Sequence, residues 1–185
     1  MSSNLTVPNA LTILRGLGIP LFVYLALGPH ADVAAIIVLI VGGATDYFDG
    51  KLARAWNQES RLGELMDPAI DRLYIGATLI VLFMRDAIPL WVIALIVGRD
   101  LVLGIMTLVM RRADIPPFTV TYLGKAATFN LMYSFPLLLL AKSSTQWGDV
   151  SFVAGWSFAL WGIGLYLVTG LDYFQTGWRS IAHAK

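Results

Sequence analysis

Six stretches of the chain, roughly residues 10–27, 31–50, 63–84, 88–110, 123–141 and 152–174, are long and mostly apolar. A helix needs ~20 such residues to cross the hydrocarbon layer of a membrane. Within that layer only helices and closed barrels satisfy their own backbone hydrogen bonds, and the chain lacks the alternating pattern of barrel strands. The expected fold class is an all-α membrane protein, with six transmembrane helices in a single domain, 1–185. Composition agrees, with 57% hydrophobic and 14% charged residues, where a soluble domain carries ~25% charge. No small-residue cleavage site follows the first stretch, so it is expected to be a retained helix and not a signal peptide.

Basic residues set the orientation. With both termini cytoplasmic, only Arg85 and Lys142 of the 13 Lys and Arg fall on the far side. The charges sum to +1 and are sorted by position, not gathered into one patch, and no nucleic-acid partner is expected. There are no cysteines, which excludes disulfides and thiolate metal sites. On the far side, Asp32, Asp86 and Asp149 are expected to be solvated loop residues. His30 and His183 have no second ligand at metal spacing. Trp91, Trp147 and Trp178 sit near span ends, as in an interfacial belt. Gly98 and Gly104 in the fourth span, with Gly162, Gly164 and Gly170 in the sixth, are the kind of small residue that marks close helix packing, within a protomer or between two.

Four carboxylates stand out in this oil. Asp46, Asp49, Asp67 and Asp71 are spaced by three, eighteen and four, at the cytoplasmic ends of spans two and three around the turn Asn57-Gln58-Glu59-Ser60. Ionisable groups in membrane helices are expensive and mark function by default. Positions three, four and seven apart share a helix face. Asp46, Asp49 and Ala53 therefore form one stripe with Gly50 and Arg54 beside it, and Gly63, Asp67 and Asp71 form another. A short turn makes the helices antiparallel neighbours, so the stripes can face each other. Four converging carboxylates repel one another unless cations bind, and an all-oxygen ligand set points to Mg²⁺ or Mn²⁺. Two such ions can clamp phosphoryl oxygens. Gly50 and Ala53 leave room for a ligand against the backbone, and Arg54 offers a guanidinium fork to phosphate.

The pattern Asp46-x-x-Asp49-Gly50-x-x-Ala53-Arg54, eight residues, Gly63-x-x-x-Asp67-x-x-x-Asp71 resembles the signature of the CDP-alcohol phosphatidyltransferases at all eight fixed positions. The opening Pro8-Asn9-Ala-Leu-Thr12-Ile-Leu-Arg15 and the six-helix plan also look like this family. The resemblance implies a membrane enzyme with two divalent cations, Mg²⁺ or Mn²⁺, held by the counterparts of Asp46, Asp49, Asp67 and Asp71. It implies that Asp71 also serves as the base that deprotonates an acceptor alcohol. The resulting alkoxide attacks the phosphatidyl phosphorus of CDP-diacylglycerol, and CMP leaves. By the same resemblance, Gly50, Arg54, Ser60 and the segment around Pro8, Asn9 and Thr12 contact the CDP group, and the assembly is a homodimer.

The acceptor is less sharply marked. Bacterial members that use glycerol 3-phosphate usually carry Arg-Glu in span four and Gly-Lys-x-Lys-Thr opening span five. This chain has Arg99-Asp100 and Gly124-Lys125-Ala126-Ala127-Thr128. Arg-Asp looks more like the cardiolipin synthases of the family, whose acceptor, phosphatidylglycerol, carries a diester with one less charge. Phosphatidylglycerol is the favoured acceptor and glycerol 3-phosphate the alternative. Arg99 and Lys125 are the candidates for its phosphate. A competing class, a cation transporter, would spread its carboxylates through the bilayer depth instead of clustering them at one end.

Overall fold

The computed structural model describes residues 7–56, 61–116, 118 and 121–183, and within these the side chains of 7–11, 46–56, 61–68 and 183 lie outside the description. Six helices follow in order: α1 (Val7–Leu27), α2 (Asp32–Trp56), α3 (Arg61–Met84), α4 (Leu90–Arg112), α5 (Tyr122–Leu140) and α6 (Gly148–His183). All six expected stretches are helical. By length and apolarity, α4, α5 and residues 148–182 of α6 suffice to cross a membrane, while α1 and α2 carry the shorter apolar runs Thr12–Leu27 and Asp32–Thr45. Large side chains such as Leu14, Leu17 and Leu21 of α1, Ile37 and Ile40 of α2, and Leu101, Ile105 and Leu108 of α4 are exposed. A soluble monomer does not expose apolar surface on this scale; here the surroundings are lipid. The protein is an integral membrane protein.

The final helix is longer than its apolar run indicated. It has 36 residues, about 54 Å at 1.5 Å per residue, and continues past residue 174 through polar positions such as Gln175 and Arg179. Helix ends facing short loops close with His30, Asp86 and Asp114 at positive φ, a conformation that Asp and His adopt more readily than bulky residues. In all three the next amide reaches back to the helix, Ala31 N to Leu25 O at 2.9 Å, Ala87 N to Leu82 O at 2.8 Å and Ile115 N to Met110 O at 3.0 Å, satisfying carbonyls that the helix leaves over.

The described residues fall into two compact units, one of residues 1–87 and 139–148, the other of 88–138 and 149–185. In the first, α1 packs along both α2 and α3. Two contacts fix the register of these three helices. At one end, Arg85 at the close of α3 grips Asp32 with both terminal nitrogens, at 2.6 and 3.1 Å, and Nη1 also donates to the carbonyl of Ala26 at 2.6 Å. Asp32 is therefore a buried partner at the start of α2 and not the solvated loop residue its position suggested. Deeper in the bundle, the Tyr74 phenol of α3 enters a notch where α1 and α2 have only glycine. A Cβ on Gly42 would lie 2.9 Å from Tyr74 Oη, and one on Gly18 would overlap it.

In the second unit, α6 supplies the small residues. Gly155 lies against Leu138 and Gly162 against Asn130 and Leu131 of α5, while Gly170 lies against Arg99 of α4. These are the close helix approaches expected of the sixth span. Gly98, Gly104 and Gly164 instead have no described neighbour within 4 Å of an added Cβ.

The notch around Tyr74 is testable. Gly42→Ala is expected to lower stability by about 1–3 kcal/mol, as overpacking does, measured by thermal unfolding in detergent. Gly76→Ala, with open space around it, should leave the transition unchanged or slightly higher. Adding Tyr74→Phe to Gly42→Ala should recover part of the loss, since the hydroxyl makes the closest contact. Equal effects at Gly42 and Gly76 would show that the notch does not hold the helices.

Candidate active site

The contact between Gly42 and Tyr74 sets the phase of the aspartate-bearing segments. From Gly42, positions 46 and 49 follow at four and seven residues on α2. From Tyr74, positions 71 and 67 follow at three and seven residues back along α3. Each pair falls on the stripe that begins at the contact, and both stripes run toward the connection at 57–60. At 1.5 Å per residue, positions 49 and 67 both lie about 10 Å along their helices from that contact. On the backbone, both aspartate-bearing segments thus lead from one contact toward the same connection.

Of the four aspartates, Asp71 has a described side chain. Its carboxylate is 52% exposed and stands 3.4 Å from the Arg15 guanidinium of α1, which is almost wholly buried. Arg15 shares a face of α1 with Thr12, three residues earlier, and Thr12 is buried too. A buried guanidinium against a half-open carboxylate gives the site a fixed positive wall and an accessible acceptor of protons or cations. The side chains of Asp46, Asp49, Asp67, Gly50, Ala53, Arg54, Gly63, Pro8 and Asn9, and the whole of Ser60, lie outside the described residues. Among the described residues no cluster of three metal-ligating side chains occurs.

The expected acceptor residues lie in the second unit, on different helices, around one tyrosine. Arg99 of α4 donates from Nη1 to Asp100 Oδ1 at 3.1 Å. Its guanidinium stacks 4.0 Å from the ring centre of Tyr166 and lies 5.8 Å from that of Tyr173, both on α6. Tyr173 reaches the start of α5: its hydroxyl accepts from the Thr121 amide at 2.8 Å and pairs with Thr121 Oγ1 at 2.9 Å. Thr121 in turn caps α5, since Oγ1 accepts from the Gly124 amide at 3.2 Å, as an N-terminal threonine should. Lys125 follows in that first turn, its ammonium 5.7 Å from the Tyr122 ring centre. Sequence reasoning missed Tyr166 and Tyr173. Their spacing of seven, with Gly170 between, was the available signal, hidden in a span rich in aromatics.

With this geometry in view, the comparisons with known proteins are direct. The profile of the CDP-alcohol phosphatidyltransferase family matches residues 5–163. The chain belongs to that family. A cardiolipin synthase (CMP-forming) of Streptomyces coelicolor is 49% identical over 174 residues, covering 91% of this chain and 81% of the relative. A putative cardiolipin synthase of Mycobacterium bovis is 43% identical over 164 residues, 88% of this chain and 78% of its own length. A CDP-diacylglycerol–glycerol-3-phosphate 3-phosphatidyltransferase of Bacillus subtilis is 27% identical over 190 residues, with 95% and 96% covered. The family transfers phosphatidyl groups, so the protein is an enzyme of this kind.

The pairing of Arg15 with Asp71 can be measured by itself. A double-mutant cycle of Arg15→Gln and Asp71→Asn on thermal stability in detergent is expected to show coupling of roughly 0.5–1 kcal/mol, because one partner is half exposed. Strict additivity would mean that the two charges do not interact.

Proposed function

We propose that the protein transfers the phosphatidyl group of CDP-diacylglycerol to phosphatidylglycerol, forming cardiolipin and releasing CMP. The observation that carries this reading is the 49% identity to a CMP-forming cardiolipin synthase over 91% of the chain, against 27% to the Bacillus subtilis glycerol 3-phosphate enzyme and 34% to a probable phosphatidylglycerophosphate synthase of Mycobacterium tuberculosis. Glycerol 3-phosphate is the alternative acceptor. The whole chain, 1–185, acts as one catalytic domain, in keeping with the family match over residues 5–163.

In this reading Asp71 takes the proton of the acceptor hydroxyl, the oxygen bonds to the phosphatidyl phosphorus, and the bond from that phosphorus to CMP breaks. The exposed carboxylate of Asp71 supports the role, since a base must meet substrate at hydrogen-bond distance. Arg15 holds that carboxylate from its buried side. Asp46, Asp49, Asp67 and Asp71 would hold two divalent cations, Mg²⁺ or Mn²⁺, and the agreement of the two backbone stripes supports this donor set. When bound, the ions neutralise the diphosphate and the departing CMP. Gly50, Arg54, Gly63 and Ser60, with Pro8, Asn9 and Thr12 at the start of α1, would bind the CDP group; Ala53 gives it room. Arg99 and Lys125 would meet the acceptor phosphate.

We assign all six helices to the membrane and both termini to the cytoplasm, because that arrangement leaves only Arg85 and Lys142 on the other side. The aspartates then open to the compartment that holds soluble metal. A homodimer is the proposed assembly, with open backbone at Gly104 available to a second copy.

Asp71→Asn should abolish CMP release from CDP-diacylglycerol while the protein still inserts and keeps its melting temperature within a few degrees; substantial turnover would remove Asp71 as the base. Chelation by EDTA should stop the wild-type reaction, and added Mg²⁺ or Mn²⁺ should restore it. Offered phosphatidylglycerol and glycerol 3-phosphate in parallel, the purified enzyme should form cardiolipin. Product from glycerol 3-phosphate alone would reverse the acceptor assignment.

A further inference from the structure

A guanidinium at membrane depth is costly and mobile. Arg99 is the tenth of 23 residues in α4, far from either helix end, and an arginine so placed normally bends its long stem toward water. Here three contacts on the second unit hold it. The ring of Tyr166 lies flat enough against the guanidinium for a cation–π contact at 4.0 Å. The Tyr166 hydroxyl donates to Asp100 Oδ1, the same oxygen that accepts from Arg99 Nη1. One turn further along α6, Gly170 makes room for the arginine stem: a Cβ there would come within 3.0 Å of Cγ and 3.2 Å of Nε.

This clamp leaves donor capacity unused. Nε of Arg99 is buried with no hydrogen-bond partner among the described residues, and the Nη1 bond to Asp100 accounts for one donor of five. The guanidinium lines an open groove of about 430 Å³ between α4 and α6, whose other walls include Leu95, Gly98, Val102, Leu167 and Leu171. Arg99 is the one charged residue among those walls. A fixed cation with spare donors in an apolar groove suits an anionic headgroup that arrives on a hydrocarbon tail.

We propose that Tyr166 is a positioning residue for acceptor recognition: through its ring and, by way of Asp100, its hydroxyl, it fixes the Arg99 guanidinium in the α4–α6 groove to bind the phosphodiester of a lipid acceptor. Asp100 already offsets part of the arginine charge, so the pair matches a singly charged diester better than a dianionic monoester. The inference rests on the acceptor role proposed above for Arg99, and the test separates the two.

The full-length enzyme is assayed in mixed micelles with Mg²⁺ or Mn²⁺, varying CDP-diacylglycerol and phosphatidylglycerol independently. Tyr166→Phe keeps the ring and loses the hydroxyl; it should raise KM for phosphatidylglycerol about threefold to tenfold, the effect of one hydrogen bond. KM for CDP-diacylglycerol and kcat should stay within about twofold of wild type by the same reasoning. Tyr166→Leu, which loses both contacts, should raise the acceptor KM further. Gly170→Ala displaces the arginine stem without touching Tyr166 and should reproduce the acceptor-only defect; it decides the matter if Tyr166→Leu does not fold. Against a background of Arg99→Gln, Tyr166→Phe should add nothing. A raised acceptor KM in Arg99→Gln with normal values in Tyr166→Phe and Gly170→Ala overturns the positioning role alone. An unchanged acceptor KM in Arg99→Gln overturns the role of Arg99, and that of Tyr166 with it. Loss of kcat at an unchanged acceptor KM in Tyr166→Phe would make the tyrosine a structural residue and also overturn the proposal.

Discussion

The fit of one phenol into one glycine notch governs the three-helix unit that carries the aspartates. Membrane helices gain nothing from hiding leucine from leucine-like lipid, so their positions depend on close packing and on polar contacts. Tyr74 supplies the packing, seated where Gly18 and Gly42 carry no side chain. Its effect reaches beyond the contact, because a helix is stiff over two turns. Fixing Gly42 against Tyr74 fixes the phase at which positions 46 and 49 follow on α2 and positions 71 and 67 on α3. Slippage by one residue would rotate a stripe by about 100°.

Charge in the bundle obeys a second rule, in which each described arginine–aspartate pair is distinguished by its exposure. Arg85 and Asp32 are both nearly enclosed, with side chains 10% and 4% exposed. Both terminal nitrogens of Arg85 and both oxygens of Asp32 are engaged within the fold, which makes the pair a clasp. Arg15 and Asp71 are asymmetric, 1% and 52%: the cation is locked inside while the carboxylate stays half open. Arg99 and Asp100, at 17% and 42%, sit beside a groove and keep donor capacity in reserve. Breaking an enclosed pair by removing one member strands a charge and is strongly destabilising. Altering a half-open pair strands less charge and costs less stability.

The helices and the family were legible in the sequence because both are local patterns. Runs of apolar residues identify spans one at a time, and the eight fixed positions from Asp46 to Asp71 lie within 26 consecutive residues. Contacts between distant helices were not legible. Arg85 and Asp32 are 53 residues apart, and Tyr166 and Asp100 are 66 apart; neither pair leaves a periodic trace. Asp32 looked like a loop residue for that reason, although a carboxylate in the first turn of α2 also faces the positive end of the helix dipole. The extent of α6 was underestimated because its last turns trade apolar residues for Gln175 and Arg179 while keeping the helix.

Ala127 shows how packing and acceptor choice are linked. In the Gly-Lys-x-Lys-Thr pattern of the resemblance, the matching position is a lysine, which can meet a dianionic phosphate. In this chain Ala127 is fully buried, two residues beyond Lys125 and on a different face of α5. An ammonium introduced there would have to give up water in an enclosed space, at a cost of several kcal/mol unless a partner charge came with it. Loss of the second lysine is therefore more than a missing contact. The site has been closed by packing, leaving Arg99, already partly neutralised by Asp100, and Lys125 as the cations proposed for the acceptor. A diester asks for less charge than a monoester, and this arrangement supplies less.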